Sequence, residues 1–237
     1  GGDLEFFIFF CSKIKPIFHR DGSKLFGLGA PGSYHKPSFA DIDNDADIDV
    51  FISNNNGDTY FFKNMGSGNN PSFASSSSFG MDNVEFFSNS TFADIDGDGD
   101  LDGFVGIGFS YDETTKGQTL FFENTGTPKN PHFIASIANP FGLTDVGAYA
   151  KPTFADIDKD GDLDAFIGNE QGNTLFYRNT GTISSPVFAA PIINPVGLVD
   201  IGNNARPTFV DIDNDNDLDA FINNLFFKNT GTFNNPI

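Results

Sequence analysis

The sequence predicts an all-β protein, a β-propeller built from four-stranded antiparallel blades, with about four complete blades and a partial one. Three observations predict it. A long unit recurs four times, β-branched and aromatic residues lie between fixed turn residues, and no 3.6-residue periodicity competes.

The repeat is anchored on four acidic segments. They are Phe39-Ala-Asp-Ile-Asp-Asn-Asp-Ala-Asp-Ile-Asp49, Phe92-Ala-Asp-Ile-Asp-Gly-Asp-Gly-Asp-Leu-Asp102, Phe154-Ala-Asp-Ile-Asp-Lys-Asp-Gly-Asp-Leu-Asp164 and Phe209-Val-Asp-Ile-Asp-Asn-Asp-Asn-Asp-Leu-Asp219. Other landmarks keep register with them. Fourteen residues before each first Asp stands a glycine (Gly27, Gly80, Gly142, Gly197), preceded by Phe26, Phe79, Phe141 or Val196. Downstream, an Asn-x-Gly turn begins at Asn64, Asn124, Asn179 and Asn229, and a proline follows each Asn by seven residues (Pro71, Pro131, Pro186, Pro236). Length varies most between acidic segment and Asn turn, where copy two gains Tyr111 to Gly117, the mark of a surface loop. Gly2 to Phe18 align with Gly172 to Phe188 as the second half of an earlier copy. The divisions are therefore a partial blade over 1–18 and repeats over about 19–73, 74–133, 134–188 and 189–237. A chain that starts and stops mid-repeat reads as part of a longer one.

Within a unit the expected strands are 151–155 and 163–167 flanking the acidic loop, 174–177 before the Asn turn, and Pro186-Val-Phe188 after it. Four short strands fit one antiparallel blade, and stacked blades make a propeller of about 4–8. The Ser75–Ser78 run reads as a variable link.

Composition narrows the function. With 32 Asp+Glu against 13 Lys+Arg the formal charge is −19, which excludes nucleic acid and anionic membrane surfaces as partners. No segment is long and apolar enough for membrane insertion. Thirty Phe and no Trp mark a folded chain rather than an acidic tail. The single cysteine, Cys11, forms no intrachain disulfide and falls where other copies carry the turn glycine.

Each acidic loop reads Asp-Ile-Asp-x-Asp-x-Asp-(Ile/Leu)-Asp. Calcium takes six to eight oxygen ligands. Side chains at positions 1, 3, 5 and 9 with the carbonyl of position 7 can wrap one ion. The four predicted sites are Asp41, Asp43, Asp45, Asp47 and Asp49; Asp94, Asp96, Asp98, Asp100 and Asp102; Asp156, Asp158, Asp160, Asp162 and Asp164; and Asp211, Asp213, Asp215, Asp217 and Asp219. All-oxygen ligation disfavours zinc and copper. Two features separate these loops from merely solvated ones. Isoleucine at position 2 and Ile or Leu at position 8 would peg each loop to the core, and aspartates packed so closely repel without cations. An EF-hand needs Glu at position 12 and flanking helices, but position 12 is Ile52, Val105, Ile167 or Ile222 in strand-like runs. Position 6 wants a left-handed turn, so Ala46 predicts the first loop as the weakest of about four Ca2+ sites.

These residues resemble the FG-GAP/VCBS repeats of integrin α-subunit-like β-propellers. The resemblance rests on the Phe-Ala-Asp-Ile-Asp-Gly-Asp-Gly-Asp-Leu-Asp block, the Asn-Thr-Gly-Thr turns and the upstream Phe-Gly. It implies calcium bound away from the ligand face, and service in adhesion or in recognition of a carbohydrate or protein ligand. Sites tuned to extracellular calcium place the protein at the cell surface or secreted. Other readings are a structural spacer, or an accessory propeller of a secreted polysaccharide-degrading enzyme. Catalysis by this chain is not expected: His19, His35 and His132 occupy no repeating position, no Gly-x-Ser-x-Gly is present, and metal claims the carboxylates.

Overall fold

The structure, a computed structural model, describes residues 28–29, 31–67, 70–74, 77–81, 84–109, 117–195 and 197–231. The half-copy read at 1–18, with Cys11, lies outside these residues, as do His19, Gly27, 75–76, 111–116, Val196 and Pro236.

The described chain forms four antiparallel sheets, each from consecutive strands in chain order. The first holds β1 (Lys36–Ala40), β2 (Asp49–Ser53), β3 (Thr59–Phe62) and β4 (Ser77–Ser78). The second holds β5 (Asn89–Ala93), β6 (Asp102–Gly106), β7 (Thr119–Phe122) and β8 (Ile137–Ala138). The third holds β9 (Lys151–Ala155), β10 (Asp164–Gly168), β11 (Thr174–Tyr177) and β12 (Ile192–Ile193). The fourth shows three strands among the described residues, β13 (Pro207–Val210), β14 (Asp219–Ile222) and β15 (Leu225–Phe227), where four were expected. The described helical content is one 3-10 turn, Pro140–Gly142.

The outer strand is not where Pro186–Phe188 placed it. Asn179 Oδ1 accepts the N–H groups of Gly181 and Val187, which folds that segment back on itself, and Phe188 makes an isolated bridge to Asn179. Pro186 has no N–H to offer a ladder. The strand therefore forms five residues later, where Ile192 and Ile193 pair with Phe176 and Leu175. For the same reason Ser77–Ser78 is the outer strand of the first sheet, not a loose link.

Neighbouring sheets meet along β1, β5, β9 and β13, which lie side by side. Phenylalanine makes these seams. Phe51 of β2 stacks on Phe92 at 4.1 Å, Phe104 on Phe154 at 4.2 Å and Phe166 on Phe209 at 4.2 Å, each pair joining one sheet to the next. Within a sheet the same rings meet Phe61, Phe121 and Phe176 at 4.8–5.0 Å. Tilted aromatic pairs of this kind add about 0.5–1.5 kcal/mol beyond their burial. The inner rim is closer still. A Cβ on Gly106 would lie 2.3 Å from Ala150 O and 2.6 Å from Pro152 Cδ, and one on Gly168 would meet Ala205 O and Pro207 Cδ. At the first seam Ser53 stands in the glycine's place and its hydroxyl bonds Ser90 at 3.1 Å.

The pegs behave by seam. Ile42, Ile95 and Ile157 are buried and pack with core residues of the following sheet, whereas Ile212 is 57% exposed. Position 8 faces the preceding sheet, so Ile48 of the first is 53% exposed while Leu101, Leu163 and Leu218 are covered. Pegging of every loop is thus corrected to pegging wherever a described neighbour exists.

Candidate metal centres

Each acidic loop joins an inner strand to the second strand of its sheet. At positions 1, 3 and 5 one carboxylate oxygen from each of three aspartates lies within 4.8 Å of the others. The groups are Asp41, Asp43 and Asp45; Asp94, Asp96 and Asp98; Asp156, Asp158 and Asp160; and Asp211, Asp213 and Asp215. The backbone brings them together. Positions 4 and 6 are left-handed in every loop, at Asn44, Gly97, Lys159 and Asn214 and at Ala46, Gly99, Gly161 and Asn216. The first Asp accepts the position-6 N–H (2.9 Å at Ala46, 3.2 Å at Gly99 and Gly161, 3.0 Å at Asn216). The fifth accepts the position-7 N–H at 3.0–3.2 Å.

Position 9 is held by the Asn turn. The Asn64 N–H donates to Asp49 Oδ1 at 2.6 Å, and Asn124, Asn179 and Asn229 repeat this on Asp102, Asp164 and Asp219. The Asn side chain also donates to the position-8 carbonyl and accepts from its own Gly. In the first three loops the second Asp oxygen is left without a partner, whereas Asp219 Oδ2 accepts the Ile212 N–H at 3.4 Å.

Those remaining oxygens test whether a cation fits. Asp43 Oδ1 and Asp49 Oδ2 are buried without a hydrogen-bond partner. So are Asp94 Oδ1, Asp100 Oδ1 and Asp102 Oδ2, and likewise Asp156 Oδ1, Asp158 Oδ1, Asp162 Oδ1 and Asp164 Oδ2. Buried polar atoms ordinarily find partners, and unpaired carboxylate oxygens are costly. Gathered in three loops as an all-oxygen set, they suit a hard divalent ion. Without one, burial pushes Asp102 and Asp164 up to about 7, and Asp49 and Asp100 up to about 6, with neighbouring aspartates adding to each. The fourth loop is more open and holds none of these orphaned oxygens among the described residues.

Position 7 departs from the carbonyl-only role. The side chains of Asp100 and Asp162 contribute buried, unpartnered oxygens, whereas Asp217 pairs with Lys159 of the third loop at 3.4 Å. Asp47 shows neither feature among the described residues.

The family can now be given. The model described as FG-GAP-like repeat matches residues 41–105 and 156–222, and each match runs from one acidic loop through the next. The chain belongs to the FG-GAP-like repeat family. No individually curated protein matches it.

In this FG-GAP chain one set of site residues escaped sequence reasoning. Lys63 pairs with Asp43 and, at 3.3 Å, with Asp45. Arg178 pairs with Asp158 and, at 3.7 Å, with Asp160. Lys228 pairs with Asp213 and, at 3.9 Å, with Asp215, which holds the Asp213 carboxyl below its ordinary range. Each cation immediately precedes an Asn turn, so β3, β11 and β15 deliver it to the loop. In copy two that position is Glu123. The signal was visible as Lys, Glu, Arg, Lys before the four Asn residues. Variable spacing from the acidic loop hid its target.

Proposed function

We propose that the chain is a calcium-binding FG-GAP propeller segment of an extracellular protein. It serves adhesion or the recognition of a carbohydrate or protein ligand and is not a catalytic unit. The observation that carries the reading is the set of buried, unpartnered carboxylate oxygens in three acidic loops, beside aspartate triplets whose oxygens converge in all four. About four Ca2+ ions would be held by the Asp side chains at positions 1, 3, 5 and 9. When bound, the ion supplies positive charge that removes aspartate repulsion and ties the inner strand to the second strand of its sheet.

Extracellular modules bind calcium at roughly 10⁻⁴–10⁻³ M. At ten times that constant each site adds about 1.4 kcal/mol, and four add about 5–6 kcal/mol. That is comparable with the whole stability of a domain, about 5–15 kcal/mol. Cytosolic calcium is too low to load such sites, which supports a place outside the cell. The His35 ring bonds Pro31 O at 3.3 Å and His132 lies in the Asn124 turn, so neither supports catalysis.

The test is a calcium titration by calorimetry with thermal melts in chelator, calcium and magnesium. About four ions and a calcium-specific rise in melting temperature are expected. Equal stability in chelator would refute the reading.

A further inference from the structure

Each inner strand runs toward its acidic loop, so its first residue lies at the far end, roughly 13–17 Å away at about 3.3 Å per residue. Those first positions carry Lys36, Asn89 and Lys151, with Arg206 at the matching position of the fourth copy. The side chains converge although they come from different sheets. Lys36 Nζ leans across the first seam to donate to Ser88 O at 3.0 Å and to Phe87 O. Lys151 is 5% exposed, donates to Ala150 O at 3.2 Å and lies 5.8 Å from the Tyr149 ring centre. The Lys36 and Lys151 amines lie close enough to act on each other, and the Arg206 charge acts on both.

The same rim carries aromatic rings under strain. Two residues before each first position the backbone is left-handed, at Tyr34 (φ 55°), Phe87 (φ 55°), Tyr149 (φ 60°) and Asn204 (φ 48°). Asparagine adopts this conformation readily, but for bulky residues it is strained, and such strain gathers at ligand-binding sites. Three copies nonetheless carry an aromatic residue. Their rings form a row, Tyr34 to Phe87 at 5.5 Å and Phe87 to Tyr149 at 6.1 Å, with Tyr34 70% exposed.

A chain of net charge −19 thus gathers three basic side chains at one place, while every ion pair among its described residues lies at the acidic loops. Burial first, then the neighbouring cations, lower Lys36 to about 8 and Lys151 to about 6. Like charges gathered out of water repel, and an oxyanion among them would pair with several donors at once. We propose that the entry ends of the inner strands form a binding site for the oxyanion group of a ligand, a carboxylate or sulfate. The ligand's apolar face would lie on the Tyr34–Phe87–Tyr149 row. Lys36 and the exposed Arg206 supply the standing charge, and the Lys151 amine donates to the anion and takes up a proton as it binds. This gives a chemistry to the recognition half of the proposed function and does not depend on the metal loops at the other end.

The experiment uses the full chain in saturating calcium and titrates glucuronate, its neutral counterpart glucose, and sodium sulfate against sodium chloride. Glucuronate should bind and glucose should not; sulfate binding as tightly would show that the bare oxyanion is the ligand feature read. Lys151→Met should lower glucuronate or sulfate affinity at least tenfold. It should also raise the melting temperature of the unliganded protein and remove any anion-specific rise. Tyr34→Ser, at an exposed position, should weaken glucuronate more than sulfate. Absence of both glucuronate and sulfate binding, or wild-type affinity in Lys151→Met and Lys36→Gln, would overturn the proposal. Loss of calcium binding with retained anion binding would sink only the metal reading.

Discussion

Protein stripped of metal should lose stability as pH rises from about 4 to 7. In the metal-free fold Asp102 and Asp164 are pushed to about 7, and Asp49 and Asp100 to about 6, from 3.8. Between those values the folded chain keeps protons that the unfolded chain has released. Stability falls with pH wherever the folded state binds more protons. The contribution is therefore complete below 3.8 and lost as pH rises through 6 to 7. For Asp102 the rise from 3.8 to about 7 corresponds to about 4 kcal/mol, at about 1.4 kcal/mol per tenfold change in proton affinity. This is a ceiling, because the loop can spread as charge builds. At about 2–4 °C per kcal/mol for a chain of this size, a fall of roughly 10 °C is expected. Calcium would replace those protons and reverse the trend. The assay is thermal melting of resin-stripped protein at pH 4.5, 6 and 7.5, with and without calcium. Asp102→Asn, which cannot titrate, should remove its share of the slope. A flat or rising profile in stripped protein, or an unchanged slope in Asp102→Asn, would refute the reasoning.

Three further outcomes follow from the loops. Ala46→Gly relieves a left-handed cost of about 1–2 kcal/mol against about 0.4–1 kcal/mol of added unfolded-state freedom, so urea denaturation should show a modest gain; a loss would count against it. Glu123→Lys should weaken calcium binding at the second loop about three- to tenfold at low salt, and Lys63→Gln should strengthen it at the first. Per-site calorimetry reads both, and equal affinities would dismiss the built-in cations as competitors. Asn179→Ala removes the side chain that closes its turn and bonds Leu163 O, which should cost about 2–4 kcal/mol in urea denaturation.

Much of this was legible in the sequence because the repeat compares the chain with itself. The inner strands, the acidic loops and the convergence of positions 1, 3 and 5 follow from recurring residue types and local backbone preference. Position 6 was read correctly as left-handed, down to the odd Ala46. Position 4 was missed although Asn44, Gly97 and Asn214 favour such a turn, because Lys159 breaks the pattern of residue types there. The outer strands were misplaced because Asn179 decides through side-chain bonds that the Pro-x-Phe segment folds back. The targets of the counter-cations and the Lys36–Lys151 cluster were hidden for a different reason. They join residues whose proximity depends on how strands and sheets stack, which periodicity within one repeat does not encode.

The seams described above bear on how such a chain avoids errors while folding. Repeats of nearly equal sequence invite docking on the wrong copy, a characteristic failure of repeat proteins. Here the inner rim is matched pair by pair: Ser53 to the Ser90 hydroxyl, Gly106 to Pro152, Gly168 to Pro207. A sheet that ends its second strand in serine would drive its Cβ into a proline-led neighbour, as the 2.6 Å approach of Pro152 Cδ at Gly106 shows. One that ends in glycine would leave a gap against Ser90. The serine pair thus marks the first seam apart from the other two, which share one glycine–proline match, and side-chain size at one position on each face tells that junction from its neighbours.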